Sequence, residues 1–241
     1  MITIRLFAML KKMAGREAFE LRIEAHGGRT TVRDLLDRLH GDAPQVVELI
    51  RAKKVMLSVN EEFAGEETVV RDGDEIGVLP PFSGGSHCCE GEGPEGSRKE
   101  GSRMVRIQKE DFAIEAEIAR VKAASTRIGG IVVFLGTARD FSQGRRIQGI
   151  TFDHYPGMAE KKLQEIRERA LKDFDIVEVA ILHRVGEMAI GENLVLIIVG
   201  AEHRAEAFRA CSWCITELKQ ITPLWKMEQT PEGERWVVEH P

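Results

Sequence analysis

The sequence has little of what marks secreted, membrane-spanning or nucleic-acid-binding proteins. Only four of its 241 residues are cysteine, which is too few for the disulfide framework of a small secreted domain. No apolar run approaches the roughly 20 residues that span a bilayer, and the opening MITIRLFAMLKKMAG does not resemble a signal peptide. The formal net charge is −5 and no segment forms a basic arm. We therefore expect a cytoplasmic protein that binds neither nucleic acid nor membrane.

The sequence does contain enough apolar residues for two modest domains. Hydrophobic residues make up 43% of it, so each half of the chain can bury a core. Residues 86–103 are rich in glycine, serine and charge and contain no branched aliphatic residue, which is typical of a flexible linker. The sequence predicts domains at 1–85 and 104–241, joined by the linker 86–103.

Short alternating runs and one helix fill the first domain. ITIRLF and AFELRI predict a hairpin, and KVMLSVN predicts a further strand. Thr31 is a plausible N-cap for the amphipathic helix VRDLLDRLH. Asp72–Gly73 marks a turn between two apolar stretches. This order of elements predicts a small sheet packed on a helix.

The second domain differs from the first in having longer predicted strands and helices. Strands are predicted at MVRIQ, GIVVFLG, IQGITFDHY, IVEVAILHRV and NLVLIIVGA, and helices at AIEAEIARVKAA, MAEKKLQEIRERALKDF and RAEAFRACSWCITELKQ. A hairpin is predicted around Pro231-Glu232-Gly233. We expect an α+β domain with a mostly antiparallel sheet.

A C-x-x-C pair, Cys211 and Cys214, lies within the last predicted helix. Such a pair can bind metal or carry out redox chemistry, but a structural zinc site needs further ligands at matching spacing. One helix face carries Phe208, Cys211, Ile215 and Leu218, and cysteine is often buried as a small apolar residue. The pattern favours core packing for this pair, and no metal site is predicted.

Basic residues gather around the same helix. His203 and Arg204 stand at its start, where free backbone N–H groups favour an anion. Lys219 stands near its end, and Lys226 follows in an apolar stretch, where a partly desolvated lysine can act as a nucleophile or proton-transfer group. Arg139, after the strand GIVVFLG, is another candidate anion ligand. Helix-end lysines that bond C-terminal carbonyls remain an equal alternative.

Three further features have plain structural explanations. His183–Arg184 ends a strand, and a structural or surface pair is favoured there. Cys88–Cys89 is interpreted as an incidental pair in the linker. Gly84–Gly85 can simply begin that linker, although a glycine pair can also thread a narrow tunnel and present a C-terminal carboxyl group to an activating enzyme.

The motifs of both halves resemble molybdopterin synthase, with its small subunit fused in front of its large one. The large subunit is matched by FLGTARD, HYPGMAEKKL, HRVGEMAIGE, AEHRAEAF, LKQITPLWKME and TPEGERWV, in that order. The small subunit is matched over residues 1–85, through ITIRLFA, TVRDLLDRL and DGDEIGVLPPFSGG. The resemblance implies a ubiquitin-like β-grasp domain followed by an α/β hammerhead-type domain.

The resemblance also implies an activity, a sulfur transfer. In this family an adenylating enzyme activates the terminal glycine of the small subunit, which becomes a thiocarboxylate. Its sulfur passes, in two rounds, to cyclic pyranopterin monophosphate and forms the dithiolene of molybdopterin. No tightly bound cofactor is implied.

Functional residues follow from the same resemblance, position by position. Lys219 matches the family's catalytic lysine and Lys226 its second pocket lysine. The basic residues of the substrate site are matched by Arg139, His203 and Arg204, and an apolar pocket wall by Phe134. The resemblance implies a homodimer through the C-terminal domain, with His203 and Arg204 completing the neighbour's pocket.

One departure from the family follows the Gly84–Gly85 pair. Gly85 is joined to Ser86 by a peptide bond, so the intact chain has no free carboxylate there. We expect a processing protease to cut after Gly85, because exposed linkers are preferred cleavage sites. The alternative is an uncleaved fusion whose first half is a scaffold or protein-binding module.

Overall fold

The computed structural model describes residues 1–22, 30–52, 54–81 and 104–237. Two compact units divide the chain, Met1–Pro81 and Phe82–Pro241. Each unit has a hydrophobic core of its own. The predicted linker 86–103, with its Cys88–Cys89 pair, and the preceding Gly84–Gly85 pair lie outside the described residues.

A five-stranded sheet, a two-stranded sheet and three helices make up the described part of the first unit. Its elements are β1 (Ile2–Leu6), α1 (Met9–Ala14), β2 (Ala18–Leu21), β3 (Thr30–Thr31), α2 (Val32–Leu39), α3 (Pro44–Arg51), β4 (Met56–Val59), β5 (Glu62–Ala64), β6 (Val69–Val70) and β7 (Glu75–Leu79). The main sheet has the order β2-β1-β7-β4-β5, with β1 and β7 parallel and the other neighbours antiparallel.

Alternation in β1 explains how this sheet covers its core. Ile2 and Ile4 are buried, whereas the intervening Thr3 is half-buried, as expected for a strand with one face on the core. The predicted N-cap of α2 is confirmed: Thr31 Oγ1 accepts a hydrogen bond from the Asp34 backbone N–H at 3.4 Å, and the Asp34 carboxylate accepts one from the Thr31 N–H at 2.8 Å. The sheet and its helices confirm the β-grasp prediction.

The strands on either side of the Asp72–Gly73 turn do not pair with each other. β6 pairs with β3, whereas β7 lies between β1 and β4. Burial explains the difference, because Ile76 and Val78 are fully buried at the centre of the sheet. The sequence prediction missed α3, which has Pro44 in its first turn, where a missing N–H costs no helical hydrogen bond.

Two four-stranded sheets organise the second unit. Its elements are β8 (Val105–Gln108), α4 (Ile114–Ala123), β9 (Gly130–Thr137), β10 (Phe141–Ser142), β11 (Arg145–Arg146), β12 (Gly149–His154), α5 (Met158–Asp173), β13 (Glu178–Arg184), β14 (Gly186–Ala189), β15 (Asn193–Ala201), α6 (Arg204–Ile221), β16 (Leu224–Thr230) and β17 (Gly233–Trp236). The sheet orders are β8-β13-β15-β9 and β14-β12-β16-β17. β8–β13 is the parallel pair, and the other neighbours in these sheets are antiparallel, which confirms the predicted α+β class.

The two central strands of the first of these sheets, β13 and β15, are buried on both faces. Ile181 and Ile197 belong to the core cluster that includes α5 and α6, whereas Leu182 and Leu196 belong to the cluster on the side of α4. Successive residues of a strand face opposite sides, so the apolar residues of β13 and β15 pack into a core on each face of the sheet. In the described part of the chain, no helix has the length and apolar content to cross a bilayer.

The C-x-x-C pair on α6 lies in the core, which confirms the packing prediction. Cys211 and Cys214 are buried free thiols, and burial raises their pKa to about 11 and about 12. Both are therefore protonated at neutral pH, and the thiolate is the form that reacts or binds metal. Phe208 was wrongly predicted on this face: it is 62% exposed, one residue and about 100° past the buried Ala207.

Candidate active site

A pocket of about 200 Å³ lies in the second unit, where its two sheets and the end of α6 meet. Phe134 from β9, Phe152 from β12 and Leu218 from α6 contribute apolar walls. Four of the six residues that the sequence predicts for the second-unit site line this pocket: Phe134, Arg139, Lys219 and Lys226. The pocket therefore combines apolar surface with cationic groups.

The two lysines reach the pocket from either side of a chain reversal. Lys219 is exposed in the last turn of α6, and the C-cap residue Thr222 has extended backbone angles. Pro223 follows, and a residue before proline is disfavoured in the helical conformation. The chain then enters β16, where Lys226 has a side chain only 15% exposed. A helix end and a strand start thus place both ammonium groups in one pocket.

Glu228 is a pocket residue that the sequence analysis missed. Its carboxylate accepts a hydrogen bond from Lys226 Nζ at 2.7 Å, and its side chain is 7% exposed. The signal was available, because Lys226 and Glu228 are two residues apart on a strand and so share one face. This buried ion pair fixes the Lys226 ammonium group.

Arg139 lies in the loop after β9. The preceding residue, Ala138, is held at the turn before β15: its N–H donates to the Glu192 carbonyl at 2.8 Å, and its own carbonyl accepts from the Gly191 N–H at 2.7 Å. These bonds place the exposed Arg139 on the pocket wall, on the same chain segment as Phe134. A guanidinium group there can bind a phosphate through two parallel hydrogen bonds.

His183 lines the pocket as well, although the sequence favoured a structural or surface role for it. Its side chain is almost fully buried, and its Nδ1 lies 2.6 Å from the Arg184 carbonyl oxygen. Burial lowers the pKa of this imidazole to about 4, so the ring is neutral at pH 7. The ring meets Phe152 edge-on, with centroids 4.8 Å apart.

His203 and Arg204 do not line this pocket. His203 is the N-cap residue of α6 and Arg204 its first residue, and both are exposed. Lys219 is in the last turn of the same helix, about 22 Å away along its axis at 1.5 Å per residue. Within one chain, the helix separates these two predicted residues from the pocket.

The described residues contain no group of three or more histidine, cysteine, aspartate or glutamate side chains placed to hold a metal ion. The charged groups of the pocket are Arg139, Lys219 and Lys226, with Glu228 as the one pocket carboxylate among the described residues. Such a set can bind a small anion and can stabilise negative charge that develops during a reaction. Fold and pocket together define an α+β domain with a cationic pocket.

Comparison with known proteins identifies both halves of the chain. Residues 107–221 match the MoaE protein family and residues 4–85 the ThiS family. The second half is similar to the molybdopterin synthase catalytic subunit of Pyrococcus abyssi, with 48% identity over 137 residues, 56% of this chain and 91% of that protein. The same subunit of Ralstonia nicotianae is 41% identical over 133 residues, 55% of this chain and 76% of that protein.

A solved structure gives the same result. Molybdopterin synthase from Staphylococcus aureus is 32% identical with a TM-score of 0.51, over 54% of this chain and 93% of that one. The chain belongs to the molybdopterin synthase catalytic-subunit family, and a ThiS-family segment precedes the catalytic region in the same chain. Both resemblances stated from the sequence motifs are confirmed.

Proposed function

We propose that the second unit transfers sulfur from a carrier thiocarboxylate to cyclic pyranopterin monophosphate. The observation that carries this proposal is the convergence of Arg139, Lys219 and Lys226 on one pocket. Three cations suit a substrate with a cyclic phosphate and a reaction in which negative charge develops on oxygen and sulfur. The apolar walls, among them Phe134, suit the pterin ring system.

Each pocket residue has a proposed role. Lys219 takes part in the chemistry, by proton transfer or as a covalent nucleophile, because it is the exposed ammonium group at the pocket. Lys226, held by Glu228, and Arg139 bind and orient the phosphate. In each round the thiocarboxylate sulfur attacks a substrate carbon and displaces an oxygen substituent. Water then cleaves the carrier C–S bond, so the sulfur stays on the substrate as a thiolate and the carrier terminus returns as a carboxylate; two rounds supply the two sulfurs of the dithiolene.

The first unit is proposed to be the sulfur carrier. A cut after Gly85 would create the terminal carboxylate that an adenylating enzyme activates, and a processing protease would make that cut. The support is the ThiS-family match, which ends at residue 85. The alternative, an uncleaved fusion with a scaffold or binding role, is favoured by one observation, the peptide bond between Gly85 and Ser86.

A homodimer of the second unit completes the proposal. His203 and Arg204 are exposed and lie outside the pocket of their own chain, so they are free to serve the pocket of a neighbour. Strand β9 pairs on one side with β15 and is the last strand of its sheet among the described residues. Its Val133 and Leu135 are 39% and 37% exposed, and an apolar sheet edge is a ready surface for another chain.

Lys219→Ala tests the catalytic assignment. The full chain is supplied with residues 1–85 bearing a C-terminal thiocarboxylate, and formation of the dithiolene is measured. We expect a loss on the order of a hundredfold or more, the usual effect of removing a proton-transfer group. Lys172→Ala, an exposed lysine of α5 outside the pocket, is the matched control and should keep full activity. Equal activity of the two variants would refute the assignment.

A further inference from the structure

The pocket contains one polar ring to which the proposed function gives no role. His183 is 3% exposed, stands near the end of β13 and lines the pocket. Edge-on contact with Phe152 and a hydrogen bond to the Arg184 backbone fix its orientation. A buried polar side chain held this firmly against a pocket calls for a partner.

The hydrogen bond at Nδ1 determines which atom of His183 remains available. A backbone carbonyl can only accept, so Nδ1 carries the proton that it donates to the Arg184 oxygen at 2.6 Å. The ring is neutral because burial lowers its pKa to about 4. Nε2 therefore carries a lone pair that can accept a hydrogen bond.

The charged residues of the pocket cannot replace His183 Nε2 as a hydrogen-bond acceptor. Arg139, Lys219 and Lys226 are donors. Glu228 is an acceptor, but its carboxylate already holds Lys226. His183 Nε2 is thus a neutral acceptor beside three cations, and it discriminates by hydrogen bonding instead of by charge. A site with such an atom disfavours ligands that leave it unpaired.

We propose that His183 determines substrate specificity: its Nε2 accepts a hydrogen bond from an N–H or O–H group on the heterocycle of the substrate, while the cations bind the phosphate. This inference rests on the proposed function. It divides the pocket into a subsite where the cations bind the phosphate and a subsite where His183 accepts a hydrogen bond from the heterocycle. A reduced pterin carries amino and ring N–H groups of the required kind.

Two substitutions of His183 distinguish the role of Nδ1 from that of Nε2. In His183→Asn, the side-chain amide takes the place of Nδ1 and can still donate to the Arg184 carbonyl, but the acceptor at the Nε2 position is lost. In His183→Gln, the longer side chain can place its carbonyl oxygen where Nε2 was. Binding to the full chain is measured by calorimetry with cyclic pyranopterin monophosphate and with sulfate, an anion that has no proton to donate.

We expect His183→Asn to weaken pterin binding on the order of tenfold, the usual effect of one lost hydrogen bond, and to leave sulfate binding unchanged. His183→Gln should restore pterin binding to within about threefold of wild type. Arg139→Ala should weaken both ligands. Unchanged pterin binding in His183→Asn, or equal weakening of sulfate, would overturn the inference while the proposed function stands.

Failure of the proposed function would look different, because the wild-type chain would then bind sulfate but not the pterin. Should His183→Asn not fold, nitrogen NMR of the wild-type chain with labelled histidine decides the question. The unprotonated Nε2 resonance of His183, assigned by its loss in His183→Gln, should shift on addition of the pterin and not on addition of sulfate. No shift with the bound pterin refutes the hydrogen bond.

Discussion

At the scale of single residues, the pocket depends on a cation and a carboxylate held together out of water. Lys226 and Glu228 are both largely buried and 2.7 Å apart, so each satisfies a charge that would otherwise be costly to bury. The pocket thus carries three positive charges and one negative charge among the charged residues that line it. Glu228 both fixes Lys226 and moderates the attraction for anions.

Glu228→Gln therefore has two separable effects. We expect a loss of about 1–3 kcal/mol in unfolding free energy, because the Lys226 ammonium loses its counter-charge. We also expect tighter sulfate binding, because one negative charge leaves the pocket. Glu178→Gln is the matched control: it weakens a buried pair with Arg167, also 2.7 Å long, outside the pocket. It should lower stability and leave sulfate affinity unchanged, and tighter sulfate binding in both variants would contradict this account.

Some residues of the pocket could be predicted from the sequence and others could not. Arg139, Lys219 and Lys226 stand in motifs that the sequence analysis singled out, and the structure brings them together. His183 was interpreted as part of a structural or surface pair because a strand-end histidine gives no indication of which cavity it borders. Glu228 was missed because its two-residue spacing from Lys226 shows that the two side chains share a strand face but not that this face lines a pocket.

At the scale of elements, predictions succeeded for elements whose apolar residues form a clear pattern, either a continuous run in a buried strand or one face of a helix. The core strands β13 and β15 and the helices α2, α5 and α6 match their predicted segments. Short elements were less predictable: β10, β11 and β14 have two to four residues each. Pairing partners were not predictable either, because β6 is next to β7 in sequence but pairs with β3.

The exposed edge of β9 gives a prediction at this scale. Leu135→Lys places a charge on the apolar strand edge, which discourages pairing with another chain. We expect sedimentation to show a shift from dimer to monomer. Val69→Lys, a substitution of a comparably exposed valine, 41% accessible, in the first unit, is the control and should not change association. A Leu135→Lys protein that remains dimeric would show that the chains associate elsewhere.

Mixing variants tests what the neighbour contributes across that interface. Arg204→Ala and Lys219→Ala are each expected to be inactive, but in a mixed dimer one pocket has both residues intact. Random mixing should restore about a quarter of the wild-type rate, since half of the dimers are mixed and each has one complete pocket. No recovery would exclude a shared pocket.

At the scale of the whole molecule, the chain joins a carrier and an enzyme that are proposed to act after separation. The intact mass of the protein from its own cells tests this. We expect two fragments that meet at Gly85–Ser86, the smaller with an oxygen replaced by sulfur. Replacing Gly84 and Gly85 with valine should abolish both the cut and the sulfur. A single uncut wild-type chain would favour the scaffold alternative.

The order of the strands along the chain also determines which unit can fold first during translation. The sheet of the first unit is complete once β7 emerges at Leu79, whereas the pocket also needs β16 and Val237. At typical translation rates of 5–20 residues per second, these events are separated by about 8 to 30 s. A ribosome that stops in this interval, after Gly85, releases a foldable carrier without an enzyme, and never an enzyme without a carrier.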